Sequence, residues 1–224
     1  MRILAIDTAT ERCSVALQLD EQLIERRTDT PRGHADLVLP MVASVLAEAG
    51  LRLGDLDALA YGRGPGAFTG VRIAVGVAQG LAFGAGLPTV GISDLAAVAQ
   101  QVSAPGERLL VCMDARMSEV YWGLFERPHD STLVEPASPE RVGSPATMSA
   151  AGASIFVGTG FAAYPELRAL APGAPIHDAV LPLAGDIARL AAARLLAGEG
   201  EPAHLAEPVY LRDRVAVPKQ PARS

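Results

Sequence analysis

The sequence has only two cysteines, Cys13 and Cys112, set far apart in the apolar runs RCSVAL and LLVCMDA. Neither has a second thiol or a histidine at ligand spacing, so a short-range metal knuckle is excluded and two buried, reduced thiols are expected. The four histidines, His34, His129, His177 and His204, are equally dispersed. Positive charge is short as well: 19 Lys and Arg against 25 Asp and Glu leave a net charge of −6. A stand-alone nucleic-acid binder neutralises phosphates with clustered cations, so contact with nucleic acid is expected only through a partner. The start, MRILAIDTAT, reaches an acid soon after its one basic residue and does not read as a secretory leader. An uninterrupted membrane-length apolar run is lacking too. The stretch 71–92 contains Arg72, interior glycines and Pro88, and reads as a buried helix followed by a strand.

What is present is ample core material: half of the 224 residues are hydrophobic, enough for one large domain or two small ones. RILAID, CSVALQL and EQLIERRT predict a three-strand meander. In GHADLVLPMVASVLAEAG the apolar residues Leu37, Val38, Met41, Val42, Val45, Leu46 and Ala49 recur at three and four, which predicts a helix ending at Gly50 and bent near Pro40. LDALAYG then predicts a strand, 69–84 a helix, LPTVGIS a strand and DLAAVAQQV a helix, an alternation that implies parallel neighbours. After Pro105 the pattern restarts: ERLLVCMDA, SEVYWGLFE and a weaker STLVEP as strands, a loose connection over 136–152, ASIFVGTG as a strand and LPLAGDIARLAAARLLAGEG as a helix. Both halves open on a meander whose first strand ends in an acid, Asp7 and Asp114. The predicted division is 1–103 and 104–224, with a polar basic tail from about 212 that holds Arg212, Arg214, Lys219 and Arg223 and reads as solvated.

The segment GRGPGAFTGVRIAVGVAQGLAFG, residues 62–84, admits two readings. As a phosphate loop it is poor: no Lys-Ser or Lys-Thr pair follows Gly70, and although Gly62, Gly64 and Ala67 formally meet the dinucleotide fingerprint, Pro65 stiffens the turn. The helix that follows carries more information. With Thr69 as its expected N-cap, Gly76, Gly80 and Gly84 recur every four residues beside a row of Ala74, Ala78 and Ala82. Three interior glycines destabilise a helix by ~1 kcal/mol each relative to alanine, which demands close packing in return. One row is expected to face inward and the other a partner, and the cost of the glycines favours theirs as the outward one.

Across the chain, ILAIDTATERCSVAL, GHADLVLPMV, GRGPGAFTGVRIAVGVAQGLA, DARMSEVYWGLF, GTGFAAYPEL and EPVYLRDRVA resemble the TsaB family, also called YeaZ, of the bacterial machinery that makes threonylcarbamoyladenosine in tRNA. The resemblance implies an α/β fold of two ribonuclease-H-like subdomains of the actin and Hsp70 ATPase (ASKHA) type, mixed sheets flanked by helices. It implies a cytoplasmic, non-catalytic subunit that pairs with the catalytic paralogue TsaD, or with a second copy of itself when TsaD is absent. Together with the ATPase TsaE it would support threonylcarbamoyl transfer, meeting tRNA only through the complex and no membrane. The pairing helices correspond to 34–49 and 69–84, with Leu37, Met41, Val45, Arg72, Gly76, Val77, Gly80 and Gly84 as interface residues.

The resemblance also marks departures from TsaD. Where TsaD carries two metal-binding histidines four apart, this sequence has Asp94 and Val98, so no metal is expected. The first phosphate hairpin, Asp7-Thr8-Ala9-Thr10, lacks its glycine, and the second, DARMSEV, has none. Asp7, Thr8, Thr10, Gly158 and Gly160 are weak cofactor-binding candidates, with ATP or ADP expected only in the assembled complex and none bound by this chain alone. Asp7 reads first as a turn residue. No catalytic set stands out: Ser14 reads as a packing residue, His34 as a helix-end hydrogen bonder, and Tyr121 and Trp122 as core or interface anchors. The alternative from another class is a nucleotide-binding or hydrolysing protein acting on its own through Asp7, Thr8 and the Gly158–Gly160 loop.

Overall fold

The three apolar runs at the start fold as an antiparallel meander, β1 (Arg2–Asp7), β2 (Arg12–Leu19) and β3 (Gln22–Asp29). The structure, a computed structural model, describes residues 1–212. Next come α1 (His34–Ala49), β4 (Ala58–Gly62), α2 (Phe68–Ala85), β5 (Pro88–Ile92) and α3 (Asp94–Val102). β4 pairs parallel with β1, and β5 with β4, giving the order β5-β4-β1-β2-β3. The alternation within β1 shows that both faces of this sheet are covered: Leu4 and Ile6 pack with α1 and α2, while Ile3 and Ala5 pack with α3 and the last helix. On α1 the buried stripe is Val38, Val42 and Val45 against the sheet, and the helix runs unbroken through the exposed Pro40 before ending at Gly50.

The second half repeats the plan. β6 (Arg108–Arg116) pairs with β7 (Glu119–Glu126), followed by the short β8 (Glu135–Pro136), β9 (Arg141–Gly143), β10 (Ile155–Val157), α4 (Gly160–Ala163) and β11 (Ile176–His177). The order β8-β7-β6-β10-β11 mirrors that of the first sheet, with β9 also on β7. The expected strand over STLVEP is reduced to its last two residues, because the Val134 amide donates to the Gln100 side chain on α3 and Ser131 closes a local turn onto Leu133.

The division at 103 does not hold to the end of the chain. α5 (Ala184–Leu196) packs on β1, β2, β4 and β5, and β12 (Glu201–Pro202) extends the first sheet beyond β5. Residues 184–202 therefore belong with the first sheet, and α3 and α5 form a shared apolar layer between the two sheets. The start of α5 is fixed from across this layer: the Ala184 amide donates to Ser14 Oγ at 3.0 Å and the Gly185 amide to Glu25 Oε1 at 2.8 Å. Ser14 is thus more than a packing residue, since it satisfies one of the donors that every helix start leaves open. Ser14→Ala is expected to lower stability by about 1 kcal/mol, the usual effect of a lost N-terminal cap, read as a shifted midpoint at unchanged m in urea unfolding.

Candidate functional site

The turn before α2 is glycine-rich because the chain itself crowds it. A Cβ on Gly66 would stand 2.6 Å from the Ala9 carbonyl oxygen, and one on Gly70 would stand 2.0 Å from that of Thr8. Without side chains at these points the start of α2 lies directly on the β1–β2 turn, where the Ala67 amide donates to the Ala9 carbonyl at 2.7 Å. The helix starts earlier than expected: Ala67, extended and without a side-chain cap, precedes Phe68, and Thr69 lies inside the first turn. The glycines at 66 and 70 serve this close backbone packing.

Between the subdomains lies a cleft of about 1070 Å³, lined among others by Thr8, Thr10, Thr69, Met113, Tyr121 and Thr159. The nucleotide-element candidates are mostly engaged elsewhere. Asp7 is fully buried, so it does not reach the cleft, and its Oδ1 accepts from the Ala9 amide at 2.8 Å. The Thr8 hydroxyl donates to the Gly70 carbonyl at 2.6 Å, and Thr10 Oγ1 accepts from the Arg12 amide at 3.2 Å. Gly158 and Gly160 are needed under β6, because a Cβ there would stand 2.3 Å from the Cys112 carbonyl oxygen and 2.2 Å from Cys112 Sγ respectively. His34 heads α1 at the cleft wall with Nε2 buried and without a hydrogen-bond partner among the described residues, and Tyr121 is half-buried in the same cleft.

The outer surface of α2 gives the opposite picture. Ala74, Ala78 and Ala82 are fully buried and bring the helix close to the sheet. Gly76, Gly80 and Gly84 are exposed, and a Cβ on any of them would meet nothing within 4 Å. Arg72 heads this row with its guanidinium 3.4 Å from the Phe68 ring centroid, and Phe83 near its end is 77% exposed. Of the residues expected on α1 and α2, Leu37, Met41 and Val77 are half-buried against the chain's own core. Val45 is fully buried against the sheet and is withdrawn as an interface residue. The outward side of α1 instead carries Leu39, Pro40, Ala43 and Ala47, while all seven residues of the apolar repeat are buried or half-buried. Phe68, Phe83 and Leu39 were missed because an apolar residue in an apolar helix reads as core.

A second group was also missed. Asp94, at the first position of α3, and Asp7, at the end of β1, are both fully buried and face each other beside Gly62. Asp94 Oδ2 accepts from the Gly64 amide at 2.5 Å, while Asp7 Oδ2 and Asp94 Oδ1 are buried without a hydrogen-bond partner among the described residues. Burial raises both carboxyls, and the charge of Asp7 pushes Asp94 further, which favours a proton on the pair. Around it, His34 on α1 favours the charged form of Asp7, and Glu140, itself raised by burial, opposes the charged form of Asp94. Glu140 accepts from Ser93 Oγ and lies 3.9 Å from Arg63. Val98, one turn along α3, is buried in apolar surroundings.

Comparison with known proteins follows this geometry. Residues 28–217 match the family model described as TsaD, tRNA N6-adenosine threonylcarbamoyltransferase. The chain is 43% identical over 232 aligned positions to the tRNA threonylcarbamoyladenosine biosynthesis protein TsaB of Escherichia coli (strain K12), all of both chains being covered. It is 38% identical over 238 positions to the TsaB protein of Haemophilus influenzae, with 100% of this chain and 98% of the relative covered. The solved structure titled YeaZ from Pseudomonas aeruginosa superposes with a TM-score of 0.84 at 41% identity, covering 94% of this chain and 99% of that one. A second, described as an uncharacterized protein with similarity to peptidase YEAZ from Pseudomonas aeruginosa, gives 0.86 at 43%, with the same coverage.

Proposed function

The chain belongs to the TsaB family, and from this premise we propose that it is a non-catalytic cytoplasmic subunit in the formation of threonylcarbamoyladenosine in tRNA. In this reading it docks on the catalytic paralogue TsaD and, with TsaE, supports transfer of the threonylcarbamoyl group to the adenosine beside the anticodon. A second copy of the chain covers the same face when TsaD is absent, and tRNA is met through the complex. ATP or ADP belongs to the assembled complex.

The observation that carries the proposal is the exposed row Gly76, Gly80 and Gly84. Three interior glycines weaken α2 by ~1 kcal/mol each relative to alanine, and none of the described residues comes within 4 Å of where their Cβ atoms would stand. The close packing that offsets this cost therefore comes from outside the chain. A smooth strip bordered by Arg72 and Phe83 suits a second helix at short range, with the arginine and the aromatic ring as anchors. The cleft favours the other reading, a nucleotide-binding protein acting alone, but Asp7, Thr8 and Thr10 are already engaged within the chain.

The test is reconstitution of tRNA modification from TsaD, TsaE, ATP, threonine-derived substrate and tRNA, with and without this chain. Full modification is expected only when it is present, and equal rates in both arms would refute the proposal. Calorimetry of the isolated chain with ATP and magnesium separates the two readings, since tight binding there favours the stand-alone one.

A further inference from the structure

The last described residues lie across the end of the cleft. Residues 206–210 are tied to the first subdomain: the Ala206 carbonyl accepts from Gln79 Nε2 at 3.4 Å, the Glu207 amide donates to the Tyr61 hydroxyl at 3.2 Å, and the Val209 amide donates to the Arg63 carbonyl at 2.8 Å. The Tyr210 ring lies 5.8 Å from that of Phe68, and the Arg72 guanidinium lies 5.2 Å from the Tyr210 centroid. Two residues on, Arg212 belongs to the other side. Its Nη2 donates to the Ala115 carbonyl at 3.0 Å and to the Glu119 carboxylate, and its Nη1 faces Met117 Sδ at 3.5 Å. Its side chain is only 17% exposed, so the expectation of a solvated tail fails at this residue; Arg214, Lys219 and Arg223 lie outside the described residues.

What Arg212 grips is unusual. Arg116, Met117 and Ser118 form the tip of the β6–β7 hairpin with φ of 62°, 56° and 59°, three successive non-glycine residues in the left-handed region. Such backbone persists only where the surroundings over-determine it. Arg212 binds the residues on either side of this tip, Ala115 and Glu119. The hairpin and the start of α2 face each other across a cavity of about 290 Å³ whose outer wall is the segment 209–212, next to the main cleft.

We infer that residues 206–212 are a strap that fixes the opening between the two subdomains, with Arg212 as the positioning residue that holds the 115–119 hairpin in its strained form. The subdomains share the apolar layer of α3 and α5 on one side. A hinge there would leave the cleft free to widen, and the strap ties its end. This reading needs neither TsaD nor a nucleotide and stands or falls apart from the function proposed above.

The experiment uses the full chain with spin labels at Arg32→Cys and Ala163→Cys, exposed positions on opposite walls of the cleft, the native Cys13 and Cys112 being buried. Wild-type background is expected to give one narrow distance distribution. Arg212→Ala should lengthen and broaden it, and amides 116–118 should exchange about tenfold faster, as a local opening does when its tie is cut. Glu119→Gln should move both readouts in the same direction by less. Arg168→Ala, which breaks a pair with Asp178 confined to the second subdomain, should change neither. If folded Arg212→Ala keeps the wild-type distribution and exchange rates, Arg212 does not hold the hairpin and the inference is wrong.

Discussion

Gly80→Leu is expected to abolish association with TsaD, and with a second copy, while making the isolated chain more stable. Both halves of this result come from the same position. Gly80 sits in the exposed middle of α2 with no atom of the described residues within 4 Å of where a Cβ would stand, so leucine has room there in the isolated chain. Replacing glycine by a good helix former at an exposed interior position adds about 1 kcal/mol to helix stability. At a close helix–helix contact the same side chain holds the backbones apart, and a loss of about a hundredfold or more in affinity is expected, ~3 kcal/mol. Melting curves and size-exclusion profiles with TsaD read the two effects side by side. Co-elution at wild-type affinity would show that the partner uses another surface.

Asp94→Asn is the second large effect, and its direction is opposite to that of most buried substitutions: the variant should be more stable than wild type at pH 8. Both carboxyls are raised in the folded chain, Asp94 the more, so folding favours a proton on the pair that the unfolded chain, whose carboxyls titrate near ~4, releases more readily. Folding takes this proton up, so wild-type stability falls as pH rises from about 4 through the raised folded pKa. Asp186, pushed up to about 6 by burial despite its pairing with Arg189, has the same sign, its share being lost between ~4 and about 6. Asparagine at 94 still accepts from the Gly64 amide and offers an N–H to Asp7 in place of the shared proton. The gain at pH 8 is on the order of 1–3 kcal/mol, the range for relieving an unsatisfied buried polar group. The slope of melting temperature against pH should flatten with it. Parallel slopes for the two proteins would mean that the pair does not hold the proton.

Most of the framework was legible in the sequence because its signals are local. The meander openings, the alternation of strands and helices, and the glycine that ends α1 each follow from patterns a few residues long. The return of α5 and β12 to the first sheet was not legible, since a helix stripe records that it is buried and not against which sheet. On α2 the four-residue spacing of Gly76, Gly80 and Gly84 is legible and the structure exposes all three, whereas the apolar character of Val45 does not distinguish an interface residue from the core one it is. Asp94 was read only as a replaced ligand position. Its meeting with Asp7 joins residues 87 apart and leaves no trace in either neighbourhood. Arg212 was hidden differently, by a charge-rich tail composition that does describe the residues beyond it.

The late return of α5 also dictates when this molecule can become itself during synthesis. As the ribosome releases residues 1–103, the sheet face formed by Ile3, Ala5, Ala16 and Ala60 has α3 beside it but lacks the rest of its cover, which is encoded at 184–196. The helix that closes it finds its first two amide partners in Ser14 and Glu25, side chains made near the beginning. The nascent first half thus carries a partly open apolar surface until α5 has been made.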